Sequence, residues 1–414
     1  MFADLPADVF HRDPWHGSFA QRLARLRRRS FRVAYFYERP DNSTFRYRVH
    51  NMIEAIEGRW PDASASYFHL DDAAELRTIV DSADVLVICR AKYGSTVSAL
   101  VAQARRRGIP VLFDVDDLVF DPSYVHLLTS SLAQRMSTEA DWDFWFAYVS
   151  RIGATLKLCD GAITTNAYLA KRLTDFAGVP CAVVPNFMNE AQLVRSRDVV
   201  EAKRRTGFAR DGALHVGYFS GSPTHAKDFE IAASALAAIL DRFPSVRVRM
   251  VGYLEAPPVL QRHAARLDRE AFRDYVNLQG LIGSTEINIA PLQDNRFTNC
   301  KSELKYFEAA AVGTVTIASP TFTFAQSIEP GRNGYLASAQ DWESALTRVI
   351  GDLDGDLDAY VAMAERGIED AEARHAWPTQ IEAIRAAVTQ DLGVSETVRH
   401  AAGAARAVEG PPAS

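Results

Sequence analysis

Short runs of β-branched and aromatic residues alternate along this chain with longer stretches whose apolar positions recur every three or four residues. "FRVAYFY" (Phe31 to Tyr37) reads as a buried strand, followed by a helical pattern from about Thr44 to Ile56. "ASYFHL" and "ADVLVICR" (Ala83 to Arg90) are further strands, and the helix "TVSALVAQARRRG" stops on its glycine. "IPVLFDVDDL" is a fourth strand, and "DGAITTN" and "CAVVPN" flank the helix "AYLAKRLTDFAG". Strands without a polar face, alternating with amphipathic helices, predict a parallel sheet covered on both sides. From Asn189 to Gly212 the chain turns polar and charged, which reads as a linker. The alternation then restarts with strand "LHVGYFSG", helix "KDFEIAASALAAILDRF", strands "VRVRMVG" and "INIAPL", helix "KSELKYFEAAAVG" and strand "TVTIAS". The expected fold class is α/β, with two Rossmann-like domains facing each other across a cleft. Ligands in such sheets bind at the carboxyl ends of the strands. One place breaks the pattern: between "VNLQG" and "INIAPL" too few residues remain for a crossover helix.

Composition changes this picture only at its edges. A chain of 414 residues is too long for one ordinary core, which supports two domains. A formal net charge of −6 argues against nucleic acid as a partner. Cys89, Cys159, Cys181 and Cys300 lack metal-site spacing and fit free thiols in a reducing compartment. No apolar run approaches the roughly 20 residues that span a bilayer, and the first residues lack a signal-peptide pattern, so a cytoplasmic location is expected. The tail "AAGAARAVEGPPAS" is expected to be disordered. Near the start, Trp15, Phe19, Leu23 and Leu26 recur at helical spacing among Arg22, Arg25, Arg27, Arg28 and Arg29. Such a helix either lies on an anionic membrane surface, as a peripheral contact, or packs on the first domain with its arginines in solvent.

Candidate chemistry concentrates in the second half. In "VGYFSGSPTHAKDF", Gly217 and Gly221 let the backbone approach a ligand, and Ser222, Thr224, His225 and Lys227 lead into a helix. Exposed amides, the helix dipole and an ammonium group together favour a diphosphate. The competing reading is a plain strand-to-helix loop that Thr224 caps. In "NRFTNCKSELKYFEAAAVGT", a helix from about Ser302 to Val312 buries Leu304 and Phe307. Glu308 lies close to that apolar face, which is costly unless its carboxylate is hydrogen-bonded. A ribose diol would satisfy it; alternatively Glu308 is partly exposed and paired with Lys305 or Lys301.

These stretches, with "VPNFMN" and "FDVDDLVFD", resemble the retaining nucleotide-sugar glycosyltransferases of family 4, which have the GT-B fold, in their bacterial surface-polysaccharide branch. The resemblance covers about Phe31 to Ala387. It implies Glu308 as the ribose ligand and Lys227 as the lysine that steadies the donor diphosphate. Members place an arginine soon after the glycine matching Gly217, where Tyr218 and Phe219 stand here. Their paired glutamates are eight positions apart, which puts the first at Cys300; Asn299, or the amides around Thr298 and Asn299, are expected in its place, with Lys301 beside them. The implied reaction transfers a sugar from a nucleoside diphosphate with retention, to a glycan or lipid-linked glycan acceptor. It needs no metal and no cofactor beyond the nucleotide-sugar co-substrate, so "DVDD" is not read as a metal motif.

On the acceptor or phosphate side stand Arg46 and Arg48 in the first helix, with Asp114, Asp116 and Asp117 at the end of the fourth strand. Asp116 is the candidate for contact with the reacting sugars, against a capped turn. A salt bridge from the arginines to this acidic loop is the alternative for Arg46 and Arg48. "RHAWPTQIEAIRAAV" resembles the closing helix that returns to the first domain, anchored by Trp377. The expected boundaries are a basic segment at 1–30, an acceptor domain at 31–195, a nucleotide-sugar domain at 205–372, a crossover helix at 373–393 and a tail at 394–414. A GT-B epimerase or phosphorylase, and a non-catalytic nucleotide-sugar-binding module, are the competing readings.

Overall fold

The computed structural model describes residues 1–221 and 223–390. The chain forms two all-parallel six-stranded sheets. The first contains β1 (Phe31–Phe36), β2 (Ala63–Phe68), β3 (Val85–Cys89), β4 (Val111–Val115), β5 (Gly161–Thr164) and β6 (Cys181–Val183), in the order β2-β1-β3-β4-β5-β6. The second contains β7 (Leu214–Ser220), β8 (Val246–Gly252), β9 (Leu267–Glu270), β10 (Ile287–Ala290), β11 (Val315–Ala318) and β12 (Tyr335–Leu336), ordered β12-β11-β10-β7-β8-β9. In each, the order reverses beside the first strand in sequence, the arrangement that follows from right-handed crossovers on both faces. Strands such as β3, β4, β7 and β11 are buried at every position, which is why they read as continuous apolar runs rather than alternating ones.

The chain divides into two compact units. The first holds Pro14–Ser123, Asp143–Pro185 and the chain from Gln380; the second holds Met1–Asp13, Tyr124–Trp142 and Asn186–Thr379. The stretch read as a linker is instead the helix Glu190–Arg205, N-capped by Asn189, whose side chain accepts from the Gln192 amide at 3.0 Å. It reads as polar because several of its polar residues are structural. The Lys203 ammonium is buried and donates to the carbonyls of Val312 at 2.7 Å and Gly313 at 3.0 Å. "VNLQG" opens a helix, Asn277–Gly283, which removes the crossover problem. β9 and β12 escaped the pattern because one is half-exposed "LDRE" and the other is two residues long. The aromatic-rich helix Glu139–Leu156 also escaped it, with Phe144 and Phe146 left exposed.

The returning segment is not one helix. Leu357–His375 ends before a tight turn at Trp377–Thr379, and a short helix Ile381–Val388 follows. Pro378 removes an amide donor and disfavours helical backbone at the preceding residue. Trp377 is half-buried, its indole donating to Glu190 at 2.7 Å, so it ties a loop rather than anchoring a core. The expected tail at 394–414 lies outside the described residues.

The N-terminal helix is Phe19–Leu26. Trp15 and Leu26 are buried, and Arg22 binds Asp72 through two hydrogen bonds of 2.6 and 2.9 Å. Arg27 donates to Ser82, and Arg29 to the carbonyls of Trp60 and Ala63. The apolar stripe and three of the arginines are therefore spent within the first unit. The helix thus packs on the first unit, as one of the two readings expected, although not all its arginines sit in solvent.

Arg48 and Asp114 are both fully buried and joined by hydrogen bonds of 2.7 and 2.9 Å, with Arg48 also donating to the Val184 carbonyl at 2.7 Å. Of the two expectations for Arg48, the salt bridge holds. Neither residue can meet an acceptor, because the pair lies inside the core where it locks helix to sheet. Burial pushes the Asp114 carboxyl up to about 6 although Arg48 pulls it down. In the second unit, His375 donates through Nδ1 to the Asn186 carbonyl at 3.1 Å, stacks on Phe307 and faces Glu303 at 3.7 Å. Burial lowers His375 to about 4 and raises Glu303 to about 7, so both are neutral in the folded protein at mildly acidic pH.

Two outcomes are expected. Asp114→Ala strands a buried guanidinium and should cost about 3–5 kcal/mol in urea unfolding, with much of the loss recovered in Arg48→Met/Asp114→Leu. Because His375 is protonated only in the unfolded chain between about pH 6.5 and 4, stability should fall as pH drops through that window. Glu303 acts with the opposite sign, its contribution fading as pH rises from about 4.5 through 7. Urea midpoints measured against pH should flatten on the acid side in His375→Gln and on the neutral side in Glu303→Gln.

Candidate functional site

β7 delivers its carboxyl end at Ser220, and after Gly221 the chain turns through Thr224 and His225 into the helix Ala226–Arg242. Ser222, a predicted ligand, lies outside the described residues. This 17-residue helix continues the tight turn Pro223–His225, and its N-cap residue His225 makes no side-chain cap bond, so the cap position is not Thr224. Gly217 is a packing glycine rather than a point of ligand approach. A Cβ there would stand 2.7 Å from the Phe219 ring and 2.8 Å from Thr285. Gly221 is exposed, and the nearest atom to a Cβ there is 3.8 Å away.

Lys227 is exposed at the start of the helix and donates to the Ser130 carbonyl at 2.8 Å. Ser130 belongs to the helix Val125–Ser131, part of the same compact unit. The His225 ring meets Asp228 at 3.1 Å. Burial and the nearby Lys301 and Lys305 hold His225 below its ordinary value, against the pull of Asp228. Burial would raise Asp228, but hydrogen bonds from His225 and Gln293 outweigh it and keep the carboxylate ionised at neutral pH.

The following loop is self-contained. The Asn295 side chain accepts from the amides of Phe297 at 2.9 Å and Thr298 at 3.0 Å. Thr298 donates its hydroxyl to the Gln293 and Asn295 carbonyls. Asn299 donates to Asp294 at 3.0 Å and the Asn295 carbonyl at 2.8 Å, and accepts from the Phe322 amide at 2.8 Å. Thr298 and Asn299, expected in the place of a sugar-binding glutamate, have their polar groups engaged in shaping this loop. Cys300, at the position of that glutamate, is fully buried. Lys301 is half-buried, with its ammonium 4.7 Å from the centre of the Phe297 ring.

Glu308 lies on the helix Leu304–Ala310 and is only 5% exposed. Gln192 donates to its carboxylate at 3.2 Å. The alternative of a partly exposed Glu308 is corrected by this burial. The residue that sequence reading passed over is Lys305. It stands one helical turn before Glu308, on the same face. Its stem reaches the surface, but its ammonium is buried, 3.9 Å from the centre of the Tyr218 ring, with no hydrogen-bond partner. Burial lowers its pKa to about 8, partly countered by Asp228 and Glu308. The spacing to Glu308 was visible in the sequence; the burial of the ammonium was not. A cavity elsewhere in this unit lies between Leu193, Val200, Ala311 and Ile368, and its flanking Arg197 pairs with Glu372 at 3.2 Å. It includes none of the residues just described.

In the first unit, Asp116 accepts from Thr44 at 2.9 Å and from Arg90 at 3.0 Å, and Asp117 lies 3.5 Å from Arg90. Arg90 reaches them from a left-handed backbone position, φ 47°. Arg46 donates to the Asn42 carbonyl at 3.0 Å and lays its guanidinium 3.9 Å from the centre of the Tyr47 ring. The acidic turn is therefore neutralised by Arg48 and Arg90, the second of which sequence reading did not single out. Asp116 and Asp117 remain half-buried at the carboxyl end of β4.

Residues 213–355 match the model of a family described as glycosyl transferases group 1. No curated protein matches. Among solved structures, HepE of Anabaena, in complex with UDP and glucose, is similar at a TM-score of 0.57 and 14% identity, over 85% of this chain and 98% of that one. WaaG, a glycosyltransferase involved in lipopolysaccharide biosynthesis, gives a TM-score of 0.58 at 11% identity, over 87% and 100% of the two chains. Sucrose-phosphate synthase of Thermosynechococcus elongatus gives 0.51 at 16%, over 90% and 99%. The chain thus has the GT-B fold of these enzymes, and the matched stretch, which carries Lys227, Lys305 and Glu308, bears the sequence pattern of the group 1 glycosyl transferases.

Proposed function

We propose that the protein transfers a sugar from a nucleoside-diphosphate sugar to a glycan or lipid-linked glycan, with retention of configuration, in surface-polysaccharide assembly. The observation that carries this reading is Glu308, a buried carboxylate within the family-matched stretch that accepts a hydrogen bond from Gln192 at 3.2 Å. A ribose diol offers two hydroxyl donors to such a carboxylate. HepE binds UDP and glucose, and WaaG acts in lipopolysaccharide biosynthesis, which supports a nucleotide-sugar donor and a polysaccharide setting.

Glycosyl transfer places negative charge on the departing diphosphate and positive charge on the sugar ring. Lys227, at the start of the helix Ala226–Arg242, is a donor suited to that diphosphate, and fixed donors aimed at developing charge are an effective means of catalysis. To bind it, Lys227 exchanges its bond to the Ser130 carbonyl for one to a phosphate oxygen. Asp116 would orient a sugar hydroxyl while Arg90 holds it in place, and Asp117 and Arg46 would flank the acceptor or a phosphate. The acceptor proton would leave to the departing phosphate oxygen. The reaction needs no metal or separate cofactor in this reading, because the acidic turn is already neutralised by arginines. A cytoplasmic setting is favoured by four free cysteines, three of them buried. No helix among the described residues is long and apolar enough to cross a membrane.

The reading predicts donor-dependent release of free nucleoside diphosphate without inorganic phosphate. Glu308→Ala and Lys227→Ala should each lower kcat/KM by about 100-fold or more, with unchanged circular dichroism. Wild-type turnover in both variants would overturn the assignment, and strict dependence on inorganic phosphate would mark a phosphorylase instead. A thermal-shift screen across nucleotide sugars should identify the donor, since a ligand that binds only the folded state raises the Tm.

A further inference from the structure

Buried cations among the described residues are commonly held by counter-charges, carbonyls or hydroxyls, and the Lys305 ammonium is not. Arg22 meets Asp72, Arg48 meets Asp114, and Lys203 meets two backbone carbonyls. Lys305 has a buried ammonium with three N–H groups and, among the described residues, no hydrogen-bond acceptor. Removing a cation from water without a partner is costly, and a protein seldom retains such a group unless something else completes it. The two carboxylates that act on Lys305 are engaged elsewhere: Asp228 with His225 and Gln293, and Glu308 with Gln192. The Tyr218 ring gives partial compensation through its π face.

The surroundings point to an anion as the missing partner. Tyr218 lies in β7, whose carboxyl end runs into the turn that bears His225 and the helix that bears Lys227. Lys301, in the extended segment that leads into the helix, adds to the local positive field. The charged and titratable groups around the ammonium are thus Asp228 and His225 on one side, Lys301 and Glu308 on its own segment, and Tyr218 beneath it.

We propose that Lys305 is a second phosphate-binding lysine, an inner anchor for the diphosphate of the donor, paired with the outer and exchangeable Lys227. The inference rests on the proposed function and deepens it. As the anomeric C–O bond breaks, its electron pair passes to the diphosphate oxygen, and the Lys305 ammonium meets the charge that collects there. A single carboxylate is a poorer fit than a diphosphate, because the positive charges of Lys301 and Lys305 meet here. Tyr218 stands where the family resemblance calls for an arginine, and Lys305 brings a cation to that same ring from a different element.

The test is calorimetric titration of UDP, GDP and ADP, with uridine, guanosine and adenosine as controls, into wild type, Lys305→Met and Lys305→Arg. For the diphosphate that wild type binds, Lys305→Met should weaken affinity by about 30-fold, the loss of a hydrogen bond to a charged group. Its nucleoside should bind the variant as it binds wild type, and Lys305→Arg should restore most of the diphosphate affinity. The ligand-free Tm of Lys305→Met should be unchanged or raised, because a desolvated cation has been replaced by an apolar side chain. Retained diphosphate affinity in Lys305→Met overturns the inference and leaves the proposed function standing. Equal loss of nucleoside and diphosphate, with a lowered Tm, marks a structural lysine and also overturns it. If none of the three diphosphates binds wild type, the inference falls together with the reading on which it rests.

Discussion

A charge taken out of water must find a partner, and that requirement organises both units of this protein. An isolated buried ion is penalised by several kcal/mol even after relaxation, so each buried cation dictates what stands beside it. Arg48 fixes Asp114 at the end of β4 and holds the helical segment Arg46–His50 against the sheet. Arg22 fixes Asp72 and brings the N-terminal helix onto β2. Lys203 gathers the carbonyls that follow the helix Leu304–Ala310 and so positions the segment that carries Glu308. These pairs are structural, and they lie beyond the reach of a ligand.

One buried charge departs from this rule: the Lys305 ammonium has no hydrogen-bond acceptor among the described residues. In the proposed reading a nucleoside diphosphate would supply one. Unsatisfied polar groups of this kind are what stability gives up for function. The contrast with the loop at Asn295 to Asn299 is instructive, because there the polar groups satisfy one another and leave little to offer a sugar.

Much of the fold was legible from the chain. A parallel strand buried on both faces produces an uninterrupted apolar run, so β1, β3, β4, β7, β10 and β11 announce themselves. The glycines that end the helices at Gly108 and Gly178 adopt positive φ, the conformation for which glycine is suited. Elements that lie at a sheet edge or carry structural charges did not announce themselves. β9 is half-exposed and charged, and the helix Glu190–Arg205 reads as a linker because Lys203 and Arg195 look like solvated residues when they are in fact buried.

The sequence alone determined the class of fold, the alternation of strand and helix, and the identity of Glu308 and Lys227 as residues of interest. Those features are set by local periodicity and by short spacing along one element. The tertiary structure decided what each charge is for. Arg48 and Asp114 became a core pair, Arg90 became the partner of Asp116, Thr298 and Asn299 became scaffolding, and Lys305 became an unsatisfied cation. The reason is that the energy of a charge depends on its distance from water and from other charges, and both are set by residues far away in the chain.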